Sequence, residues 1–548
     1  MKKIYTYILG IASLLLPSCS DYFDINTDPN NPSDVDYTTL VPTIQLYGTR
    51  ALCTSSGLSN ELIVYTHQFS TREEANEYGV TGADFYTTYG WQYMYVRALE
   101  NLELAMDKAS EANDNFTIGM LKVLKAYYYS QFVDVFGDIP FSEACKTDEG
   151  IQFPKYDKDS EIYPQLFTLL DEGIATLKQD GASGGDFDLY YGGNAAQWIK
   201  AANSIKLKLY TQVRLVQDVS AEVKALIDGG NLMASTEDGL MFRFGSSTAP
   251  DERHPGYPDS YATTQQTNHI SPWFYEIMRG LNRTIFTNNK DPRIPYYFYN
   301  QLKANQPSSQ SCEYRDGGFV SIYFGSRGDR VSLSRDNDLT VPGIYPVGGR
   351  YDDGQGGTVN ANSGTGAGIY RNLTYADCLY LEAELMQAGV INGDVRAKLK
   401  AAMEESFKLV DYVVEAAGSS QSIPVLAGTQ TVNEYITKVL AEFDNGNDEK
   451  KMEIIMTQKW IQNFGNAVDT YTDYRRTGYP VMFDPNAVGG YVTPPAGGDP
   501  TETLPPVPVA CSVAYPKSLP YISDELNLNP NAPAQKTDLG NKNVFWDK

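Results

Sequence analysis

Histidine is nearly missing from this 548-residue chain: His67, His254 and His269 are the only three. No H-E-x-x-H pair occurs, which leaves little for zinc hydrolysis or for a histidine general base. Basic residues are also short, with 44 Lys+Arg against 68 Asp+Glu, a formal charge of −24 and no long basic run. Nucleic-acid binding neutralises phosphates with Lys and Arg, so this balance excludes a polyanionic partner. Five cysteines lie beyond the N-terminal region, Cys53, Cys145, Cys312, Cys378 and Cys511, at wide, irregular spacings and without a C-x-x-C. An odd, scattered set is not a disulfide framework. After residue 16 no stretch approaches the about 20 apolar residues that span a bilayer.

Aromatic residues, by contrast, are plentiful. They make up 12% of the chain, and Tyr outnumbers Phe by 40 to 22. Rings with a polar handle suit binding surfaces and partly wet cores alike. The 42% hydrophobic content, with 46 Gly and 29 Pro, is that of a globular protein rather than a low-complexity one. The length predicts three or four domains of about 150 residues, or one continuous array of helical repeats.

The N-terminus has the layout of a secretory signal: Lys2 and Lys3, an apolar stretch Ile4 to Leu16, then Pro17-Ser18-Cys19. Cys19 directly after Leu-Leu-Leu-Pro-Ser resembles a bacterial lipoprotein signal, in which cleavage before the cysteine is coupled to its lipidation; an ordinary signal with a chance cysteine is the competing reading. Loss of residues 1–18 removes two Lys and no acid, which takes the charge from −24 to −26. The acyl chains on Cys19 would then be the membrane attachment. Asp24-x-Asn26-x-Asp28 begins like a calcium loop, but Pro29 stands where Gly is required and Val35 where Glu is, so a turn-rich tether is the better reading.

Apolar spacings of three and four predict helices in pairs. The stripes are Tyr95/Leu99/Leu102/Met106, Leu121/Leu124/Tyr128/Phe132/Val135, Ile162/Leu166/Leu170/Ile174/Leu177 and Trp198/Ala202/Ile205/Leu209/Val213. Four more recur later: Cys378/Leu381/Leu385/Ala388, Leu399/Met403/Phe407/Val410, Ile436/Leu440/Phe443 and Met452/Met456/Trp460/Phe464. Between the blocks, residues 230–373 are rich in Gly, Pro, Asn and Asp, and loops on a rigid scaffold are where binding residues concentrate. The expected organisation is a signal over 1–18, a lipidated tether over 19–45, a helical block over 46–229, a loop-rich binding insert over 230–373, a second helical block over 374–477 and a Pro-rich segment over 478–548. The fold class is mainly α, a paired-helix scaffold with few short strands.

Several motifs, in order, resemble the SusD/RagB family of outer-membrane lipoproteins over essentially the whole mature chain. They are the Cys19 lipobox, Asn26-Thr27-Asp28-Pro29-Asn30, Phe136-Gly137-Asp138-Ile139-Pro140-Phe141, Asp291-Pro292-Arg293, Tyr375-Ala376-Asp377 with Glu382-Ala383-Glu384, Asp473-Tyr474-Arg475-Arg476-Thr477-Gly478, and Tyr515-Pro516 followed by Glu525 and Asn527. Met456-Thr457-Gln458-Lys459-Trp460 departs from the family's Glu-Arg pattern. The resemblance implies tetratricopeptide-like helix pairs, no cofactor and no bond chemistry. It also implies a SusC-like TonB-dependent transporter as partner and a glycan ligand, or in some relatives a peptide.

A glycan site needs aromatic faces for sugar C–H groups, interleaved with planar polar side chains for the hydroxyls. Two stretches have this texture: Asp84 to Tyr93, with Tyr89 and Trp91, and His254 to Trp273, with Tyr257, Tyr261, Gln265, Asn268 and Trp273. Tyr257, Tyr261 and Trp273 are the first candidates for ligand binding; the competing reading for every ring is core packing. Trp198 and Trp460 lie on helix stripes and read as core, and Tyr296 to Tyr299 reads as a buried strand. The Gly343 to Gly368 run reads as a flexible loop, lacking phosphate-loop spacing. Gly181-Ala182-Ser183-Gly184-Gly185 fits G-x-S-x-G only between helices, not on a strand-to-helix elbow, and no local signature selects the carboxylate pair of a glycoside hydrolase. The expectation is a binding protein, not an enzyme.

Overall fold

The eight predicted stripes lie on helices, except for their terminal residues Ala388 and Phe464, in the computed structural model, which describes residues 35–71, 78–179, 184–262, 266, 268–308, 313–328, 337–494 and 504–547. The signal, Cys19, Ser183, Gln265 and Cys312 lie outside the described residues. The first block consists of α1 (Tyr37–Leu52), α2 (Ser59–Tyr65), α3 (Phe85–Gln92), a π-helical turn at Tyr93–Leu99 that runs into α4 (Glu100–Glu111), α5 (Asn115–Phe136), α6 (Asp159–Leu177), α7 (Ala195–Val213) and α8 (Ser220–Asp228). In the insert, α9 is Pro272–Arg279; the second block holds α10 (Tyr375–Gln387), α11 (Val395–Ala417), α12 (Gln430–Asn445), α13 (Asp448–Gln462) and α14 (Ala467–Thr477). Helix α1 begins inside the stretch expected as tether. Its Asp36 cap accepts from Thr38 N, and Leu40, Val41 and Ile44 are buried, so residues 37–45 belong to the body.

Consecutive helices pack against each other, α5 with α6, α6 with α7 and α10 with α11. Helix α5 is apolar on every side, and nearly all of it is buried as the centre of the first block. It stops at Gly137, which takes φ +75° as only glycine does readily, and Asp138 Oδ1 then accepts from Asp159 N (3.0 Å) at the start of α6. That exchange explains the Gly-Asp-x-Pro motif as a helix-to-helix joint.

The insert is pinned at its ends by a short ladder. Strand β1 is Phe69–Thr71, β2 Leu240–Arg243, β3 Asn268–Ile270, β4 Tyr314–Asp316, β5 Phe319–Ser321 and β6 Ile369–Leu373. β2 and β6 pair antiparallel, Ile369 opposite Arg243 and Tyr370 opposite Phe242, which brings the entry and exit of the insert side by side. β1 pairs with β3, Phe69 opposite Ile270, and so carries α9 to the edge of the first block. Asp291 and Arg293 form a buried pair (2.6 Å), and Arg293 also donates to Ser406 Oγ (2.8 Å) and Gln458 Oε1 (3.1 Å), fastening the insert to α11 and α13. The C-terminal segment is coil, but it returns to the first block: Trp546 is buried and its Nε1 donates to Asp134 Oδ1 (2.8 Å) on α5.

The two blocks meet through buried charge. Glu384 on α10 accepts two hydrogen bonds from Arg476 on α14 (2.9 and 2.7 Å) and one from Arg214 at the end of α7 (3.0 Å). Arg476 also reaches Asp473 (2.7 Å) and Gln212 Oε1 (2.6 Å); Lys459 pairs with Asp473 (2.8 Å), and Lys208 with Asp469 (2.8 Å). Asp377 closes a capping box with Thr374 and accepts from Asn463 (2.9 Å). The Tyr-Ala-Asp, Glu-Ala-Glu and Asp-Tyr-Arg-Arg motifs thus supply one ion network. Lys459, in the segment that departs from the family pattern, completes it.

Candidate functional site

The structure separates the candidate rings sharply. Tyr257 and Tyr261 are fully buried and stacked on each other (centroids 4.6 Å apart, planes 12° apart), in a small core with Tyr299, Val341, Val347 and Val359. Tyr257 Oη donates toward the carbonyls of Gly364 (2.9 Å) and Ala361 (3.1 Å) and accepts from Gly364 N (2.8 Å); Tyr261 Oη donates to Pro342 O (2.8 Å). These two are corrected from sugar platforms to structural anchors. The physical reason is the Gly-rich run, which folds over them. Gly364 lies so close to Gly348 and Gly349 that a Cβ there would stand 2.6 Å from the Gly348 carbonyl oxygen. The glycines serve close backbone approach as well as loop conformation.

Trp91 is likewise core: it is 6% exposed and packs on Tyr95 (4.6 Å) and edge-on to Phe136 (5.2 Å). Asn268 sits on β3 with its amide donating to Asn60 O and Oδ1 (3.3 Å each), so its known bonds are to the scaffold.

Two candidates remain open to solvent. On α3, Asp84 caps the first turn (Oδ1 from Thr87 N, 2.7 Å), and a spacing of four places Phe85, Tyr89 and Tyr93 along one edge. Phe85 is 61% and Tyr89 38% exposed. Ring centroids are 4.6 Å apart from Phe85 to Tyr89 and 5.7 Å from Tyr89 to Tyr93; Tyr47 of α1 extends the row, 5.3 Å from Tyr93, and Arg97 lies over Tyr47. Each ring is tilted by about 50° from the next.

Trp273 is the other. Pro272 at the first helical position starts α9, Trp273 is half-buried, and its Nε1 donates to Val481 O (3.1 Å). Its ring faces Phe483 (5.9 Å), and from Phe483 a chain of rings leads to Tyr323 (6.3 Å) and His67 (6.5 Å). His67 stacks near Phe324 (4.2 Å) and bonds Tyr78 Oη (2.7 Å), and Tyr515 lies between Tyr78 (4.9 Å) and Tyr474 (4.8 Å). Segments far apart in sequence therefore converge on one aromatic corner. Burial drives the His67 imidazole down to about 3, so it stays neutral and serves as a hydrogen-bonding wedge. Glu276, one turn beyond Trp273 on α9, is half-buried, and burial raises its carboxyl to about 7.

Of the candidates named from sequence, Trp273 and Tyr89 keep rings open to solvent; Phe85, Phe483, Tyr323, His67 and Glu276, which stand near them, were not among those candidates. The Trp273-to-Glu276 spacing was the available signal for the last. Among the described residues no group of three or more His, Cys, Asp and Glu is placed to hold a metal ion.

A paired-helix scaffold that gathers loop-borne rings at one corner defines a binding protein of the tetratricopeptide-like class. The chain belongs to the SusD-like family: the family model, described as starch-binding and associating with the outer membrane, matches residues 29–494. No curated protein matches it by sequence. Among solved structures, it is similar to a chitin-binding protein at 22% identity, with 92% of this chain and 100% of that one covered and a TM-score of 0.64. A SusD homologue from Bacteroides fragilis matches at 19% identity, 94% and 99% coverage and TM-score 0.66. A chitin-binding SusD homologue from Flavobacterium johnsoniae matches at 18%, 93% and 98%, and 0.62. The family is one of binding rather than catalysis and is associated with the outer membrane; no described helix is long and apolar enough to cross a membrane.

Proposed function

We propose that this protein captures an oligo- or polysaccharide at the cell surface and passes it to a SusC-like TonB-dependent transporter, held to the outer membrane by lipid on Cys19. The observation that carries the reading is the half-open Trp273 ring at a convergence of loops, in a chain of a family described as starch-binding. Two of the similar structures are named for chitin binding, which supports a glycan over a peptide. The Phe85–Tyr89 edge is a second aromatic surface for the same ligand, reached from the first block.

A glycan array probed with the purified chain, beside a peptide array, tests the ligand class. Retention on glycans is expected; retention on peptides alone overturns it. Cys19→Ala is expected to move the protein from the membrane to the soluble fraction, since acyl chains on that cysteine are the proposed attachment. A variant that stays with the membrane contradicts the anchor.

A further inference from the structure

Resting on the glycan reading, we infer that the groove between α6 and α7, closed at one end by Phe545, is a second carbohydrate site that takes a neutral sugar unit at the end of a glycan. The groove is a cavity of about 290 Å³, at the lower end of the ~300–1,000 Å³ of small-molecule sites, which suits a chain end rather than a long run of polymer. It shares no residue with the Trp273 corner. Its aromatic walls are not set by the core: Phe167 follows Leu166, and Tyr210 follows Leu209, on the buried stripes, so each ring stands about 100° round its helix from the core-facing line. The two rings stack on each other from α6 to α7 (centroids 4.3 Å apart, planes 22° apart), and both stay half-buried. Phe545, also half-buried, stands edge-on to Tyr163 of α6 (4.9 Å).

Polar groups line the same cavity. The Tyr210 hydroxyl, the Gln217 amide and the Glu222 carboxylate have no hydrogen-bond or ion-pair partner among the described residues. Pro164, inside α6 and on the same wall, has no N–H for the Ser160 carbonyl, so that acceptor lacks its helical donor. Donors and acceptors beside half-open rings match the hydroxyls and C–H faces of a sugar. An apolar side chain of a protein partner would instead desolvate those polar groups and leave them unpaired. Glu222 is the one charged side chain lining the cavity among the described residues. A uronate or sulfate would therefore meet like charge with no cation to offset it, while a single exposed carboxylate offers an ammonium group little.

The test is calorimetric titration of the purified chain with maltohexaose and with the N-acetylglucosamine hexamer, the bound equivalents being counted by native mass spectrometry. Two equivalents of at least one hexamer are expected, the second held about tenfold more weakly because its site has no Trp anchor. Trp273→Ala is expected to leave the weaker equivalent. On that background Tyr210→Ala should remove it, and Gln217→Ala should weaken it about fivefold at unchanged melting temperature, Gln217 being exposed. Should Tyr210→Ala fail to fold, Gln217→Ala and Glu222→Ala, both at exposed positions, decide. A single equivalent that vanishes with Trp273→Ala, or a second one that Gln217→Ala and Glu222→Ala leave unchanged, overturns the second site while leaving glycan capture intact. Binding of neither hexamer by a chain that the glycan array retains does the same. Retention on the peptide array alone overturns both.

Discussion

Replacing Arg476 by Ala is expected to lower the unfolding free energy by about 3–5 kcal/mol, the cost of stripping a buried carboxylate of its partner. Arg476 and Glu384 are 1% and 0% exposed and face each other through two parallel hydrogen bonds, so water cannot take the place of the guanidinium. The arginine also holds Gln212 of α7 and Asp473 of its own helix. Its loss therefore loosens the joint between the two helical blocks rather than one helix. Arg476→Lys keeps the charge but not the planar fork and is expected to recover only part of the loss.

The same pair sets an acid limit. Burial alone would raise the Glu384 carboxyl, but Arg476 and Arg214 outweigh it and hold it at about 2, below its ordinary 4.5. A group lowered on folding adds stability that is complete above the ordinary value and is lost as pH falls from about 4.5 toward 2. Thermal unfolding of wild type and Arg476→Ala across that range should show the wild-type curve falling and the gap between the two narrowing. Equal stability of the two at pH 7 would remove the network from the account.

Tyr257→Ala is expected to cost about 3–5 kcal/mol, the range for deleting a large buried ring, and to leave the Gly364 N–H without its acceptor. Stacking on Tyr261 is lost with it, so the cover formed by the Gly-rich run should open. Limited proteolysis of the variant is expected to cut between residues 350 and 365 where the wild type resists. Trp273→Ala, by contrast, removes a half-exposed ring and should shift the melting temperature little. If Tyr257→Ala melts like wild type while ligand binding disappears, the buried placement is wrong and the sequence expectation of a sugar platform returns.

The scaffold was legible in the sequence because its rules are local. Apolar residues three and four apart can lie together only on a helix, and Gly137 and Gly478, the latter at φ +78°, mark ends that need positive φ. The motifs of the family resemblance are also scaffold: Asp138 joins two helices, Asp291 and Arg293 fasten the insert, and Glu384 and Arg476 couple the blocks. Helix α1 escaped because Pro42 and a mixed stripe follow a Pro/Asn-rich tether. The π turn at Tyr93–Leu99 likewise has no composition signal.

The candidate site was legible only in part, because exposure of a ring depends on what folds over it. Tyr257 and Trp273 stand in equally aromatic, polar surroundings along the chain; the loop at 343–368 covers one, and Val481 and Phe483 flank the other without closing it. Phe85 was overlooked beside Trp91, although only the spacing of four from Tyr89 decides which of the two shares the open edge.

The most direct test of glycan capture without bond cleavage is calorimetric titration of wild type and Trp273→Ala with a defined oligosaccharide panel, with the ligand recovered and weighed by mass spectrometry. At least one wild-type ligand returned intact, bound about tenfold or more weakly by a Trp273→Ala protein of unchanged melting temperature, is the predicted result. Shortened products released by the wild type, or a Trp273→Ala protein that binds with full affinity, would contradict it.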